Sequence, residues 1–274
     1  MVIICETLKR EITIKKIIMD TKDILKAHGH WILAKMGKKV LRPGGKELTK
    51  KLIDALHFNN SDNVVEFAPG MGFTASLTLA YKLHSYIGVD ADEDIVRMLS
   101  KKLQSAQASF ILGNASQTNI ESESKDKVYG EAMLTMHADH RKSEIIREAH
   151  RILKKGGWYA IHELGLTDVD ETLKSKIQRD LALSIKVNAR PLTEVEWKHL
   201  LEQEGFAVKK VMTNGMHLLE MNRIIDDEGI LRATKIGWNI LTHPKARKRI
   251  LEMRKVFKQY QNHMNAIAIV AEKL

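Results

Sequence analysis

Short apolar runs alternate with longer amphipathic stretches through the centre of the chain. Such runs predict buried β-strands, and most of the stretches between them have the apolar spacing of helices. Strands of continuous apolar character that alternate with helices are typical of a parallel sheet covered on both faces. The pattern therefore predicts an α/β fold with strands at 63–67, 85–89, 109–112, 128–135, 157–163, 207–220 and 264–272.

Helical patterns also precede the first strand and separate the last two. Residues 20–57 have apolar side chains at helical spacing, with Asp20 as a candidate N-cap and a break at residues 42–45, "RPGG". Residues 221–262 form a helical insertion before the last strand. That insertion carries too much apolar surface for a helix that serves only to bind phosphates, so we expect burial against another surface of Ile230, Leu231, Ile236, Trp238, Ile240 and Leu241.

The formal net charge of +10 is concentrated in two regions. Residues 1–60 hold 13 Lys or Arg against 6 Asp or Glu, and residues 232–260 hold 9 against 1. Such regions bind RNA, an acidic small molecule or an anionic membrane surface, or they form a solvated face that contributes to a dimer. An aromatic content of only 5%, without a recognisable RNA-binding appendage, argues against RNA.

The N-terminal segment and the cysteine content bear on location. Cys5 is the single cysteine, so no intrachain disulfide can form, which favours a reducing compartment. Lys9, Arg10, Lys15 and Lys16 interrupt the apolar residues before a signal-type core appears. No stretch approaches the roughly 20 apolar residues of a membrane span. We therefore expect a cytoplasmic protein.

A glycine-rich turn follows the first predicted strand, in residues 64–74, "VVEFAPGMGFT". Gly70, Gly72 and Ala75 satisfy the loose spacing of a dinucleotide-binding turn, which presents backbone N–H groups to a pyrophosphate. Glu66 argues against a phosphate, because a carboxylate at the end of the strand would repel it. A ligand that carries positive charge suits this acidic position, and the glycines then permit close backbone approach.

Four segments in the same order resemble the motifs of class I S-adenosylmethionine-dependent methyltransferases. Residues 64–74 resemble the first motif, and residues 86–92, "YIGVDAD", resemble the second. Residues 111–116, "ILGNAS", resemble the segment beside the adenine, and residues 149–163, "AHRILKKGGWYAIHE", resemble the helix, turn and strand that follow the active site. The resemblance implies S-adenosylmethionine as the cofactor and a Rossmann-like, seven-stranded, mostly parallel sheet with helices on both faces. A nucleotide-sugar or NAD-binding domain is the alternative.

The resemblance places the cofactor at the carboxyl ends of the first three strands. Asp90 would accept both ribose hydroxyls, with the methionine end over Gly70 and Gly72. Ala68 replaces the first glycine of the motif, and Asn114 stands where the family commonly has Asp, which weakens the expected contact with the adenine amine. The implied cofactor residues are Glu66, Ala68, Gly70, Gly72, Asp90, Ala91, Asn114 and Ala115, and no metal is expected.

Methyl transfer from a sulfonium is an in-line displacement that depends on alignment in a water-poor site. An oxygen or nitrogen nucleophile can also need a general base. The loops after the fourth and fifth strands offer His137, His140 and Glu163 as predicted catalytic residues. Structural interpretations compete with these roles, since Asp139 and His140 can cap the next helix. One of the neighbours His162 and Glu163 must point into a sheet face.

The N-terminal stretch supplies the remaining candidates. Because N-terminal helices of the family often cover the cofactor, the resemblance implies a helical lid at residues 1–59. A methyltransferase domain at 60–274 would then contain the insertion 221–262. The predicted substrate or lid residues are His28, His30, Trp31 and Arg42, and Arg42 can approach the carboxylate of the methionine moiety. A packed surface helix is the alternative.

The sequence favours a methyltransferase that acts on an oxygen, nitrogen or sulfur atom of a small molecule. An RNA methyltransferase that uses the basic N-terminal and 232–260 regions is the alternative. A non-catalytic protein that binds the cofactor is a third reading. We expect the insertion to shape the substrate pocket or a homodimer contact and not to supply affinity for a nucleic acid.

Overall fold

The computed structural model describes residues 27–216 and 219–274. Within them, one sheet is formed by β1 Asn63–Phe67, β2 Ser85–Asp90, β3 Ala108–Leu112, β4 Lys125–Glu131, β5 Leu153–Leu166, β6 Leu192–Thr193, β7 Phe206–Gly215 and β8 Met264–Lys273. The strand order is β3-β2-β1-β4-β5-β8-β7, with the two-residue β6 paired to β5. Only β8 runs antiparallel to its neighbours. The predicted Rossmann-like, mostly parallel α/β sheet is confirmed.

Ten α-helices accompany the strands in the described part of the chain. They are α1 Gly29–Lys35, α2 Gly45–Leu56, α3 Phe73–Thr78, α4 Glu93–Lys102, α5 Asp139–Ile152, α6 Glu171–Ile185, α7 Glu194–Gln203, α8 Met221–Glu228, α9 Ile230–Thr242 and α10 Pro244–Gln259. Several of these helices begin at a residue whose side chain caps the first turn. Asp92 accepts the Asp94 and Ile95 N–H groups at the start of α4, and Thr193 forms a capping box with Glu196 at α7. The helix start predicted at Asp20 lies outside the described residues.

The apolar core lies on both faces of the sheet. One cluster joins Val65, Phe67 and Val128 to helices α5 and α7. The other joins Val64 and Tyr129 to helices α2 and α4. Because successive strand residues point to opposite faces, the continuous apolar runs of β1 and β4 supply both clusters, as the sequence pattern predicted.

Helix α1 and the insertion helices α8, α9 and α10 pack together, and we call this unit the cap. Its core contains Ile32, Leu33, Met36, Ile224, Ala233, Ile236, Ala246, Ile250 and Met253. Polar contacts join the two chain segments as well: Lys38 Nζ lies 3.5 Å from the buried Asp227 carboxylate, and Glu228 Oε1 accepts the Lys39 and Val40 N–H groups at 2.6 and 2.9 Å. The N-terminal helix and the insertion therefore form one structural unit.

The six apolar residues of the insertion that were expected to be buried differ in burial, and Ile240 is partly buried against the core of the cap. Ile236 is buried in the cap, as predicted. Four others remain exposed within this chain by 60–88% of their surface: Ile230, Leu231, Trp238 and Leu241. Their burial against a partner stays a prediction.

Strand β4 ends earlier than the expected residue 135. Ala132 adopts a left-handed φ of 54° and its N–H donates to the His162 carbonyl, which turns the chain away from the strand. A short 3-10 helix then occupies Leu134–Met136. The apolar run misled the prediction because its last residues are buried in a turn, where burial gives the same pattern as a strand.

Candidate active site

The glycine-rich loop connects β1 to α3 at the carboxyl edge of the sheet. Ala68, Gly70 and Gly72 all have left-handed backbone angles, with φ of 54°, 52° and 73°. A Cβ added to Gly70 would meet nothing nearer than the Ala68 carbonyl at 3.9 Å, whereas one added to Gly72 would lie 2.4 Å from Leu99 Cδ2. Gly72 is therefore needed for packing, and Gly70 leaves open space beside the loop.

The first acceptor beside this space is the Asp90 carboxylate at the end of β2. Its Oδ1 accepts the Asp92 N–H at 3.0 Å, and its Oδ2 accepts the Gly70 N–H at 3.3 Å. Each oxygen retains a further lone pair. Burial raises the pKa of Asp90, against the lowering effect of these backbone hydrogen bonds.

The other residues implied for the cofactor's nucleoside end lie along the same edge, because β2 and β3 are parallel and in register up to the pair Asp90 and Leu112. Ala91 and Asn114 are exposed, and Ala115 is half-buried. Asn114 Oδ1 accepts the Ser116 N–H at 3.1 Å. The amide group of Asn114 thus lies at the surface with its oxygen engaged by the loop.

Glu66 points away from the open side of the loop and into the core. Its Oε2 accepts the Tyr129 hydroxyl at 2.6 Å and the Tyr86 hydroxyl. Burial raises the pKa of Glu66 to about 7, although both tyrosines favour its ionised form. The carboxylate that the sequence argument placed at a cationic ligand therefore has two tyrosine hydroxyls as its hydrogen-bond donors.

A second buried carboxylate, Glu131 at the end of β4, was missed by the sequence analysis. It forms an ion pair with Arg42 and accepts hydrogen bonds from the hydroxyls of Thr74 and, at 2.7 Å, Thr49. His162 Nδ1 lies 2.7 Å from Glu131 Oε1. Burial opposes ionisation, but Arg42 and His162 outweigh it and lower the pKa of Glu131 to about 2. The available signal was an acidic residue within the apolar run 128–135, since a carboxylate is rarely buried without a partner.

This network connects the N-terminal segment to the glycine loop. Arg42 contacts the Thr74 hydroxyl in α3, and its guanidinium carbon lies 5.2 Å from the centre of the Phe73 ring. The buried His162 places Nε2 2.6 Å from the Pro43 carbonyl oxygen. Arg42, predicted at the cofactor's carboxylate, is thus engaged with Glu131, and His162 has a structural position.

The three predicted catalytic residues lie in different environments. Glu163 is fully buried, and its two oxygens accept the N–H groups of Met133, Leu134 and Thr135 and the Thr135 hydroxyl, all within 2.7–3.0 Å. His137 is half-buried after the 3-10 helix, and burial, followed by nearby cations, lowers its pKa. His140 is exposed in the first turn of α5. The structure does not bring the three side chains into one cluster.

A narrow cavity of about 80 Å³ lies between the cap and the carboxyl ends of β4 and β5. His30 and Leu33 of α1 form one wall, and Met253 and Phe257 of α10 form another. Ala132, Thr135 and Glu163 close it on the sheet side. Of the N-terminal candidates, only His30 lines this cavity; His28 is exposed, and the half-buried Trp31 packs on the core cluster that includes Met71.

Neither a metal-binding cluster nor a membrane-spanning helix occurs among the described residues. Residues 27–216 and 219–274 contain no group of three or more His, Cys, Asp or Glu side chains arranged to hold a metal ion. No helix among them combines the length and apolar character needed to cross a bilayer.

The chain is similar to known proteins both in sequence and in fold. A family model described as a methyltransferase domain matches residues 65–161. An uncharacterized protein of Haemophilus influenzae is 33% identical over 250 residues, covering 89% of this chain and 98% of that protein. Scoulerine-9-O-methyltransferase 3 of Papaver somniferum is 29% identical over 91 residues, 32% of this chain and 26% of that enzyme.

A solved structure with the same fold is phosphoethanolamine N-methyltransferase 2 of Haemonchus contortus, in complex with phosphomonomethylethanolamine and S-adenosylhomocysteine. The TM-score is 0.67 at 15% identity, and the match covers 89% of this chain and 57% of that chain. At this identity the likeness concerns the fold alone.

Proposed function

The chain belongs to the class I S-adenosylmethionine-dependent methyltransferases, and we propose that it methylates a small molecule bound in the cavity beneath the cap. The observation that carries this proposal is the position of the cavity. Ala132 and Thr135 lie in the turn after β4, so the cavity is at the same carboxyl edge of the sheet from which the glycine loop extends after β1. Ligands of open α/β sheets bind at this edge.

The residues along that edge fit the cofactor. The open space beside Gly70 admits the amino-acid end close to the backbone, and the remaining lone pairs of Asp90 suit two ribose hydroxyls. Ala91, Asn114 and Ala115 would lie beside the adenine. We propose that Ala68 and Gly72 shape the loop and that Glu66 supports it from the core, since its carboxylate contacts tyrosines.

Bound S-adenosylmethionine supplies a methyl group activated by a sulfonium, so the protein has to align the acceptor and exclude water. The apolar wall of the cavity supports both tasks. Because Glu163 already accepts four hydrogen bonds, we propose that it positions the turn 133–135 and does not act as a base. His137 and His140 are absent from the described lining, which weakens their predicted catalytic roles.

Helix α1 supports the lid interpretation, because His30 and Leu33 cover the cavity. We propose that the N-terminal segment and the insertion together form this lid, held to the sheet through Arg42 and Glu131. One cysteine in 274 residues supports the expected cytoplasmic location. The exposed apolar side chains of α9 support a dimer contact.

The test of this function is calorimetric titration with S-adenosylhomocysteine and with NAD. We expect S-adenosylhomocysteine to bind and NAD not to bind. Gly70→Ala should weaken the binding of S-adenosylhomocysteine by about tenfold or more, because the added methyl would occupy the open space. The matched control is Gly229→Ala before α9, because Gly229 also has a positive φ, 79°, and an added Cβ there meets nothing within 4 Å. Binding of NAD alone, or equal effects of both variants, would contradict the proposal.

A further inference from the structure

The cavity wall is nearly devoid of polar groups. Its deep part is formed by aliphatic, aromatic and thioether side chains, among them Leu33, Leu164, Leu181, Met216, Met253 and Phe257. Methionine side chains are flexible and polarizable, so such a wall can enlarge around a ligand somewhat bigger than 80 Å³. It can stabilise apolar surface but offers no counterion.

Two of the three polar side chains in the wall are already engaged within the protein. Both oxygens of Glu163 accept two hydrogen bonds each. Thr135 donates its hydroxyl to Glu163 at 2.7 Å, and the same oxygen accepts the Leu164 N–H at 3.3 Å. A ligand could pair with either group only by breaking these bonds.

His30 is the third polar side chain, and it differs from the other two. Among the described residues, none forms a hydrogen bond with either of its ring nitrogens, although the His28 and Trp31 rings lie 5.6 and 5.3 Å away between centroids. Burial, assisted by His28, lowers the pKa of His30 to about 4. At neutral pH the imidazole is therefore uncharged and has one donor and one acceptor nitrogen for a ligand.

Building on the proposed function, we propose that the methyl acceptor is an uncharged, largely apolar molecule that presents a hydroxyl group to the His30 imidazole. An anionic acceptor would lose its hydration in a lining whose described residues include no Lys or Arg, and a cationic one would find the Glu163 carboxylate already engaged by four hydrogen bonds. A hydroxyl group needs only one neutral hydrogen-bond partner, which His30 provides.

The reaction balances without a further reagent. The acceptor oxygen forms a bond to the methyl carbon as the carbon–sulfur bond breaks, and the electron pair of that bond returns to sulfur. The hydroxyl proton becomes strongly acidic as the new bond forms, so even a weakly basic imidazole can accept it and pass it to water. The products are the methyl ether and S-adenosylhomocysteine.

Binding of simple aromatic probes tests the acceptor class independently of turnover. Phenol, benzoate and benzylammonium would be titrated calorimetrically at pH 7 into the full chain saturated with S-adenosylhomocysteine. We expect phenol to bind at least about tenfold more tightly than either ion. Equal or tighter binding of benzoate or benzylammonium, or no saturable binding of phenol in the millimolar range, would overturn the proposal.

The role of His30 is tested by comparing phenol with toluene, which replaces the hydroxyl by a methyl group. In the wild type phenol should bind about fivefold more tightly, the value of one hydrogen bond. His30→Leu should remove this preference, while His199→Leu, at an exposed histidine of α7, should keep it. A preference for phenol that survives in His30→Leu would overturn the assignment.

Circular dichroism and the affinity for S-adenosylhomocysteine identify a misfolded variant. If the wild type fails to bind S-adenosylhomocysteine, the methyltransferase proposal itself fails. If S-adenosylhomocysteine binds but the probes rank differently, only the acceptor class is wrong.

Discussion

Two buried glutamates at the carboxyl edge of the sheet have opposite electrostatic environments. Glu66 in β1 receives the hydroxyls of Tyr86 and Tyr129, and burial raises its pKa to about 7. The Glu131 side chain in β4 is also buried, but Arg42 and His162 outweigh burial and lower its pKa to about 2. Two tyrosine hydroxyls therefore do not offset the effect of burial on the pKa of Glu66, whereas Arg42 and His162 more than offset it at Glu131.

The two glutamates also connect different parts of the molecule. Glu66 connects strands within the sheet, since both of its tyrosine partners belong to β2 and β4. Glu131 connects the sheet to a distant segment, because Arg42 precedes α2 and lies beside the cap. An ion pair that joins two units makes their association sensitive to a single side chain.

The largest loss of stability is expected from Arg42→Met. This change leaves the ionised Glu131 buried without its cation, and loss of one partner of a buried pair costs about 3–5 kcal/mol. We expect a fall of this size in the free energy of unfolding measured with urea. Lys51→Met, at the exposed pair with Glu47, is the matched control and should cost less than about 1 kcal/mol. Equal losses would show that Arg42 does not neutralise Glu131.

The raised pKa of Glu66 predicts that the stability of the protein depends on pH. Its pKa is about 7 in the folded protein against an ordinary value of 4.5, so the native state binds more protons between these pH values. Wild-type stability should therefore fall through this window as pH rises. Glu66→Gln cannot ionise, and its stability relative to wild type should increase by about 2–3 kcal/mol from pH 5 to pH 8. A pH-independent difference in urea denaturation would refute the assignment.

The accessible carboxylate Asp90 provides a third case, in which the loss should appear in binding. Asp90→Ala should weaken the affinity for S-adenosylhomocysteine by about 2–3 kcal/mol, because an ionic hydrogen-bond acceptor is removed. Asp94→Ala removes a carboxylate of the neighbouring helix that pairs with Arg97 at the surface, and it should leave the affinity unchanged. An unaltered titration of Asp90→Ala would show that the ribose does not lie there.

The smallest effect is expected at the exposed cations of α10. Replacing Lys245, Arg247 and Lys248 by Gln should change stability by less than about 0.5 kcal/mol. Arg249 is left intact, because it is buried and donates to the Ser184 carbonyl at 2.7 Å. In filter-binding titrations with total tRNA at several salt concentrations, wild type and variant should both bind weakly. Submicromolar binding that collapses in the variant would favour the RNA methyltransferase alternative.

The sequence predicted the order of the central elements well, because strands buried on both faces have a distinctive apolar pattern. Residues 63–67 were predicted and observed as β1. The direction of single side chains was not predictable in the same way. Glu66 was assigned to the ligand side from its place in a motif, yet strand alternation in the folded sheet points it toward Tyr86 and Tyr129.

Contacts between distant segments were also not predictable from the sequence. The pairing of Arg42 with Glu131 joins residues 89 positions apart, and local periodicity carries no information about such a partner. His30 was selected as a candidate from its crowded surroundings. The apolar wall that lowers its pKa comes largely from α6 and α10, and only the fold brings these elements beside α1.

The bonds between the two parts of the cap affect how the chain folds during synthesis. Lys38 and Asp227 are separated by 189 residues, so the insertion is synthesised well after α1. At about 5–20 residues per second, the N-terminal helix waits roughly 10–40 s for its partner helices. Its apolar face is uncovered during that time, so nascent chains of this protein should need chaperone protection until the insertion has been translated.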